Sequence, residues 1–249
     1  MFLRKVTLLK EKIKKPGQYP FSIPTIKNLA ILEFKKNITF FVGENGSGKS
    51  TLLEAIAYQC GFNPAGGGRN NVYELESSEA KLGDYLRLSW LPKVTQGFFL
   101  RAESFYHFAS YLDQMAIENP QFRNKIYDSY GGKSLHQQSH GESFLSLLSS
   151  RFGQKGIYLL DEPEAALSPA RQLALLRLIH DLEISGHAQF IIATHSPILL
   201  GYPDAQILNF DEVPISEIEY EETNHYFIMK GFLNRREKFL KELFENDEE

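Results

Sequence analysis

The chain has 249 residues, of which 43% are hydrophobic and 23% are charged, with a formal net charge of −4. This composition excludes the disordered class of low hydrophobicity and high charge, and it predicts one globular domain over residues 1–249. The single cysteine excludes an internal disulfide and a CxxC metal site, and it suits a reducing cytoplasm. No stretch approaches 18 consecutive apolar residues, so we expect a cytoplasmic protein without a membrane span.

Charge is distributed unevenly along the chain. Residues 1–36 carry nine lysines and arginines against two glutamates, a net charge of +7. Residues 201–249 carry thirteen acidic against five basic residues, a net charge of −8. A basic end can attract nucleic acid, although a solvated basic face would have the same composition.

The first strong pattern along the chain is a strand, a glycine-rich turn and a helix. Residues 37–42 (NITFFV) form an unbroken apolar run, which is typical of a strand buried on both faces. The glycine-rich segment 43–50 follows, and helical spacing of apolar residues then continues from residue 51 to Gly61, which predicts a helix ending there.

Similar apolar runs predict buried strands over 156–161, 189–195 and 205–210. Between the first two, the spacing predicts a helix over 170–184, with Ser168 as its cap, Pro169 in its first turn and Gly186 beyond its end. Strands that alternate with helices predict an α/β fold with a mainly parallel sheet. Sites in such folds lie at the carboxyl ends of the strands.

The middle of the chain has a different pattern. Residues 97–101 (GFFLR) indicate the end of a strand, and 104–122 carry aromatic residues at helical spacing. We therefore predict a core lobe over about 1–61 and 150–249, with an inserted, mostly helical lobe over about 62–149. The last predicted element is one amphipathic helix over 232–245.

The segment 43–50 matches the phosphate-binding pattern G-x-x-x-x-G-K-[ST]. Glycines allow successive backbone N–H groups to face phosphates, and the following helix adds the positive end of its dipole. Lys49 supplies a cation for the β- and γ-phosphates of ATP, Ser50 a hydroxyl for Mg²⁺, and Thr51 a contact to the α-phosphate. The predicted nucleotide-binding residues are Glu44, Asn45, Gly46, Ser47, Gly48, Lys49, Ser50 and Thr51.

Two further strands end in groups that suit phosphate chemistry. Asp161 and Glu162 follow the apolar run 156–161, where Asp161 can hold Mg²⁺ and Glu162 can polarise a water. The alternative is a pair of anions at a helix start. His195 ends the run 189–195, either as a satisfied core histidine or as a group directed at the γ-phosphate.

The segment 137–143 (QQSHGES) precedes an apolar helical run. Ser139 and Gly141 would place a hydroxyl and free backbone amides at a helix N-terminus, which is an anion site. An ordinary helix cap explains the same residues, so both interpretations stay open here.

The ordered set of P-loop, QSHGE, LLDEPEAALSP and ATHSP resembles the ATP-binding-cassette (ABC) ATPase superfamily. The spacing is also similar, with 22 residues from Ser139 to Asp161 and 34 from Asp161 to His195. The resemblance implies that Ser139 and Gly141 contact ATP bound to a second subunit. It also implies that Asp161 is the Walker B aspartate, Glu162 the catalytic base and His195 the switch histidine.

Within that superfamily the motifs resemble small predicted ATPases related to chromosome-maintenance, recombination-repair and overcoming-lysogenisation-defect proteins. The chain departs from the pattern at His140, Glu142 and Ser168, and no glutamine after the strand 97–101 fits a Q-loop. Tyr19 and Phe21 are candidates for stacking on adenine, and the loop 65–71 is either a flexible turn or a phosphate contact.

These features together predict a cytoplasmic Mg²⁺-dependent ATPase that forms an ATP-dependent, head-to-tail homodimer. In this prediction Lys49, Glu162 and His195 act in catalysis, and Ser50 and Asp161 bind the metal. Two alternatives remain open: an ATP-gated clamp on DNA or another protein with slow hydrolysis, and the ATPase subunit of a transporter.

Overall fold

The computed structural model describes residues 1–63, 80–103, 105–128, 132–137, 140–152 and 155–245. Within these ranges the strands are β1 (Leu3–Leu8), β2 (Ile31–Glu33), β3 (Ile38–Val42), β4 (Leu86–Trp90), β5 (Gly97–Arg101), β6 (Gly156–Asp161), β7 (Ala188–Ala193), β8 (Gln206–Asn209) and β9 (Ser216–Glu217). The α-helices are α1 (Pro24–Asn28), α2 (Lys49–Cys60), α3 (Ala80–Gly83), α4 (Phe105–Glu118), α5 (Arg123–Asp128), α6 (His140–Arg151), α7 (Pro169–Ile184), α8 (Pro197–Leu200), α9 (Asn224–Asn234) and α10 (Arg236–Glu245).

The core is a six-stranded sheet in the order β5-β6-β7-β3-β8-β9. Its first five strands are parallel, and β9 pairs antiparallel with β8. Alternate side chains of β6 enter two different hydrophobic clusters, Tyr158 and Leu160 on one face and Ile157 and Leu159 on the other. Burial on both faces explains the unbroken apolar runs, and the predicted α/β fold with a mainly parallel sheet is confirmed.

A second, antiparallel sheet in the order β2-β1-β4 was not predicted. The buried amide of Gln189 on β7 joins it to the core sheet. Its Oε1 accepts hydrogen bonds of 2.8 Å from the backbone N–H groups of Phe2 and Leu3, and its Nε2 donates to Leu3 O at 2.9 Å. This polar tie fixes the start of the chain beside the core, where β1 and α2 share one hydrophobic cluster.

The helix predicted after the glycine-rich segment is confirmed as α2. Gly48 precedes it with φ of 102°, and Gly61 ends it with φ of 76°, both in the left-handed region that favours glycine. Nine of the twelve residues of α2 are buried, as expected for a helix packed between two sheets. The helices α4, α6 and α7 cover the opposite face of the core sheet.

Two local predictions differ from the structure. Ser168 occupies the N-cap position of α7, but its side chain makes no capping hydrogen bond. The single helix predicted over 232–245 is wrong, because the backbone leaves the helical region at Arg235, between α9 and α10. The Phe232 and Phe239 rings, 5.8 Å apart, pack the two helices against each other.

The division into two lobes stays a prediction. Within the range assigned to the helical lobe, β4 belongs to the antiparallel sheet and β5 to the core sheet. Both strands precede α4, so the longer helices of that range come after the strand end predicted at 97–101. In the described part of the chain, no helix has the length and apolar character needed to span a membrane.

Candidate functional site

The carboxyl ends of the parallel strands bring the predicted site residues together. The segment 43–50 follows β3, Asp161 ends β6 and His195 follows β7. Arg101 ends β5, and Asp211 follows β8. The site therefore lies at the sheet edge where parallel α/β folds place their ligands.

Contacts from two other segments hold the backbone of the loop 43–50. The Thr25 hydroxyl of α1 donates to the carbonyl of Ser47, and a Cβ on Gly48 would lie 2.8 Å from Thr25 Oγ1. The Asp211 carboxylate accepts a hydrogen bond of 2.6 Å from Glu44 N. The motif did not predict Thr25 or Asp211, although the rule that strand ends share one edge could have identified Asp211.

The Lys49 ammonium lies inside this loop. Its Nζ donates to Gly43 O at 2.6 Å and to Glu44 O at 2.9 Å, and the residue is 4% exposed. Burial lowers the pKa of Lys49, while Glu162 and Asp211 are the strongest of the carboxylates that oppose this effect. Within the described residues this buried cation bonds to carbonyls of its own loop, which it is well placed to exchange for phosphate oxygens.

Ser50 and Asp161 are in direct contact. The Ser50 hydroxyl donates to Asp161 Oδ1 at 3.0 Å, and Asp161 is 1% exposed. Burial raises the pKa of Asp161 to about 6, opposed first by the Arg101 guanidinium and then by the Ser50 hydrogen bond. The pair places two oxygen donors together at the start of α2.

Arg101 is a site residue that the sequence did not predict. Its Nε lies 3.3 Å from Asp161 Oδ2, and its Nη1 lies 2.5 Å from Glu54 Oε1 on α2. Glu54 has a side-chain exposure of only 4%, so Arg101 compensates two buried carboxylates. Arg101 is the last residue of β5, directly before the positions where a Q-loop glutamine was expected and is lacking. Its ion pairs with Glu54 and Asp161 link β5 to α2 and β6.

The oxygen donors of Ser50 and Asp161 fit a hard cation such as Mg²⁺. Mg²⁺ commonly takes only one or two protein ligands and completes its coordination with water and phosphate oxygens. Among the described residues, no cluster of three or more His, Cys, Asp or Glu side chains is arranged to hold a metal. One hydroxyl and one carboxylate are a donor set that suits a metal bound also by the phosphates of a nucleotide.

Glu162 occupies a strained position next to Asp161. Its φ of 48° and ψ of 50° lie in the left-handed region, which costs a non-glycine residue on the order of 1 kcal/mol. Its Oε1 lies 3.8 Å from His195 Nε2, and its side chain is 38% exposed. The backbone turn thus directs a carboxylate towards both the histidine and solvent.

Two other residues hold His195 in place. Its backbone N–H donates to Glu164 Oε1 at 2.6 Å, and its Nδ1 lies 2.9 Å from Nε2 of His225. Burial is the main cause that lowers the pKa of His225, followed by the proximity of His195. The His195 Nε2 atom has no hydrogen-bond partner within the described ranges. His225 belongs to α9, a helix that the sequence analysis did not predict.

The structure describes only part of the segment 137–143. Ser139 lies outside the described residues, as does the loop 65–71. Gly141 lies in the first turn of α6, where a Cβ would meet Arg171 Nη1 at 2.5 Å. Arg171 also lies 3.5 Å from the Glu142 carboxylate. The glycine therefore permits close contact between α6 and the start of α7.

The two aromatic candidates for adenine stacking differ in exposure. Phe21 is buried and packs edge-on against Tyr85, with ring centroids 4.9 Å apart. Tyr19 is 50% exposed, and its hydroxyl lies 3.4 Å from Thr51 Oγ1. Tyr19 is thus the candidate with a ring accessible beside the phosphate-binding loop.

Comparison with protein families agrees with this geometry. An AAA domain family model matches residues 17–139. A second AAA domain model, whose description adds AbiEii toxin and type IV TA system, matches residues 134–201. The xylose import ATP-binding protein XylG of Moorella thermoacetica is 26% identical over 230 residues, which cover 85% of this chain and 45% of XylG. The two AAA domain models together span residues 17–201, and the chain is similar to ABC-type P-loop ATPases.

Other proteins similar to this chain come from different contexts. Protein ea59 of Escherichia phage lambda is 34% identical over 91 residues, covering 35% of this chain and 17% of ea59. The SMC head domain from Thermotoga maritima aligns with a TM-score of 0.47 at 18% identity, covering 88% of this chain and 99% of that structure. The chain spans between 17% and 64% of the length of the four curated relatives it matches.

Proposed function

We propose that this chain hydrolyses Mg²⁺-bound ATP at the edge of the core sheet and uses ATP to pair with a second copy in the cytoplasm. The loop 43–50 holds the triphosphate, with Lys49 on the β- and γ-phosphates and Thr51 near the α-phosphate. Ser50 and Asp161 hold Mg²⁺, which would neutralise charge on the phosphates when bound.

The observation that carries this proposal is the contact between Ser50 and Asp161 beside the buried ammonium of Lys49. The motifs that supply them are 111 residues apart in sequence, yet the two side chains are 3.0 Å apart. A cation, a hydroxyl and a carboxylate at one helix start form an arrangement suited to a metal-bound triphosphate.

Glu162 and His195 suit the two remaining tasks of hydrolysis. Glu162 orients a water for attack on the γ-phosphorus and accepts its proton as the bond to ADP breaks. His195 Nε2, which lies 3.8 Å from Glu162 Oε1, donates to a γ-phosphate oxygen. Catalysis then consists mainly of positioning and charge stabilisation.

The homodimer follows from the ABC resemblance of the segment 137–143. In the proposed head-to-tail pair, Ser139 and Gly141 of one copy face the γ-phosphate held by the loop of the other. Arg171, which packs against Gly141, would be brought to the same interface.

The direct test compares the wild type with Glu162→Gln. The amide keeps the shape of the carboxylate but cannot accept a proton, so we expect kcat for Mg²⁺-ATP to fall by at least about 100-fold. Affinity for ATP, measured by calorimetry, should be retained. Glu237→Gln, a matched change on α10, should leave both unchanged. Normal turnover by Glu162→Gln would refute the assignment of the base.

A second candidate function is an ATP-gated clamp on duplex DNA with slow hydrolysis. Its support is the exposure of Lys10, Lys12, Lys14 and Lys15 within the basic first 36 residues. Fluorescence anisotropy of a labelled duplex should then show binding by Glu162→Gln that requires ATP. That binding should weaken by more than about tenfold between 50 and 200 mM salt. Equal DNA binding with and without ATP would count against the clamp.

A third candidate, an ATPase subunit of a transporter, is favoured by the similarity to XylG, whose name describes xylose import. Such a subunit needs a membrane partner. Retention of the tagged chain on washed native membranes, lost on removal of the partner, would favour this role. Recovery of all the chain without membranes would favour the first proposal.

A further inference from the structure

The N-terminal turn of α9 lies over the switch histidine. His225 Nε2 is 2.9 Å from His195 Nδ1, and the two ring centroids are 5.1 Å apart. The two imidazoles come from positions 30 residues apart. No motif of the sequence analysis included His225, and the function proposed above assigns it no task.

The start of α9 is built as a rigid support. The Thr223 hydroxyl caps the helix by accepting from Tyr226 N, and the rings of Tyr220 and Tyr226 pack with centroids 4.7 Å apart. The Tyr220 hydroxyl donates to Pro197 O at 2.9 Å, two residues beyond His195. The Tyr220 hydrogen bond therefore ties the turn before α9 to the segment that follows His195.

The surroundings of His195 decide the direction of the hydrogen bond between the two rings. A neutral imidazole carries one N–H, and its other nitrogen is an acceptor. His195 Nε2 faces the Glu162 carboxylate at 3.8 Å, which favours the proton on Nε2 because a lone pair there would face another lone pair. The His195 Nδ1 atom is then the acceptor, and His225 Nε2–H is the donor.

We infer that His225 is a positioning residue for catalysis: its Nε2–H holds His195 in the Nε2–H tautomer, directed at Glu162 and the γ-phosphate. This inference rests on the proposed function, because His195 must act on the phosphate for its tautomer to affect turnover. His225 itself touches neither ATP nor the metal in this scheme. Burial keeps the pKa of His225 low, so the ring is neutral and retains this donor and acceptor pattern.

The test uses two replacements of His225 and one matched control. His225→Leu removes the donor while keeping apolar volume, whereas His225→Gln keeps an N–H donor of similar reach. His187→Leu makes the same change at an exposed histidine at the opposite end of β7. Thermal unfolding of all variants identifies any that do not fold. If His225→Leu does not fold, His225→Gln still tests the inference.

We expect His225→Leu to lower kcat by about 10–100-fold without changing ATP affinity. A loss of this size is typical when a metal-binding histidine loses its hydrogen-bond partner. His225→Gln should recover most of the rate, and His187→Leu should match the wild type. In a His195→Gln background, His225→Leu should cause no further loss, because the two residues then act as one unit. A merely structural residue would produce additive losses.

A second readout does not depend on turnover. In long-range ¹H–¹⁵N spectra without nucleotide, His195 should carry its proton on Nε2 in the wild type and in His225→Gln, and as a mixture in His225→Leu. The His195→Gln variant assigns the signals. If His195→Gln lowers kcat but His225→Leu changes neither kcat nor the tautomer, the inference alone is overturned. If His195→Gln leaves kcat unchanged, the proposed function falls with it.

Discussion

At the scale of single residues, Lys49 is a charged group held in a buried place. Its ammonium is buried and bonded to two carbonyls of its own loop. A charge-assisted hydrogen bond contributes about 1.5–3 kcal/mol, so Lys49→Ala should weaken ATP binding by about 10–100-fold. Calorimetry measures this directly, with Lys155→Ala at the opposite end of β6 as the control. Unchanged affinity in Lys49→Ala would contradict the assignment of the phosphate site.

The buried carboxyl of Asp161 makes stability depend on pH in the metal- and nucleotide-free protein. Its pKa of about 6 in the folded state lies above the ordinary value of 3.8, so the folded state holds the proton more tightly than the unfolded chain. Raising the pH from 4 to 7 removes the proton from the unfolded chain first and favours unfolding. This group therefore stabilises the fold at low pH, and the stabilisation is lost as the pH rises through 6.

Comparison with Asp161→Asn isolates that contribution, because all other groups titrate in both proteins. The free energy of unfolding of the wild type should fall relative to the variant by about 2–3 kcal/mol between pH 4 and pH 7. Urea denaturation at several pH values measures the difference. A difference that does not change with pH would show that Asp161 has an ordinary pKa.

The motif residues could be predicted from sequence because their chemistry demands fixed spacing. Lys49 and Ser50 are defined by the glycines before them, and Asp161 by the apolar strand that it ends. Arg101 and His225 could not be predicted in this way. Each lies outside any motif and meets its partner only because β5 pairs with β6 and α9 folds back over the end of β7.

At the scale of elements, the start of β5 depends on a glycine. Gly97 has φ of 151°, and a Cβ there would lie 2.0 Å from Ile157 O on β6. Gly97→Ala should therefore destabilise the protein by about 2–4 kcal/mol through backbone strain and overpacking. Chemical denaturation measures this loss of stability.

Gly186→Ala provides a matched control for that change. Gly186 also has a positive φ, of 71°, but nothing lies within 4 Å of the position of its Cβ. Its replacement should cost only the strain, about 1 kcal/mol. Equal losses at Gly97 and Gly186 would mean that the close packing of β5 on β6 contributes nothing.

Strands could be predicted from sequence where burial on both faces makes nearly every residue apolar. The strands β3, β6 and β7 are buried on both faces, so their apolar runs are unbroken. The strand β1 was missed because charged residues interrupt it, and its place is fixed by the amide of Gln189 far along the chain. The break between α9 and α10 was missed because apolar spacing continues across Arg235.

For the whole molecule, the core sheet gathers residues from the whole length of the chain at one edge. Its parallel order β5-β6-β7-β3-β8 places the segment 43–50 beside Asp161 and His195. Alternation of strands and helices predicted this sheet and its edge. It could not predict the antiparallel sheet, and it did not reveal which side chains would compensate the buried carboxylates.

In the proposed function, ATP joins two copies of this chain. The most direct measurement is the molar mass of Glu162→Gln by light scattering after size exclusion, with and without Mg²⁺-ATP. We predict a rise on addition of ATP from the 28.5 kDa of one chain to twice that mass. A mass that stays at one chain, while the same sample binds ATP in calorimetry, would contradict this ATP-dependent pairing.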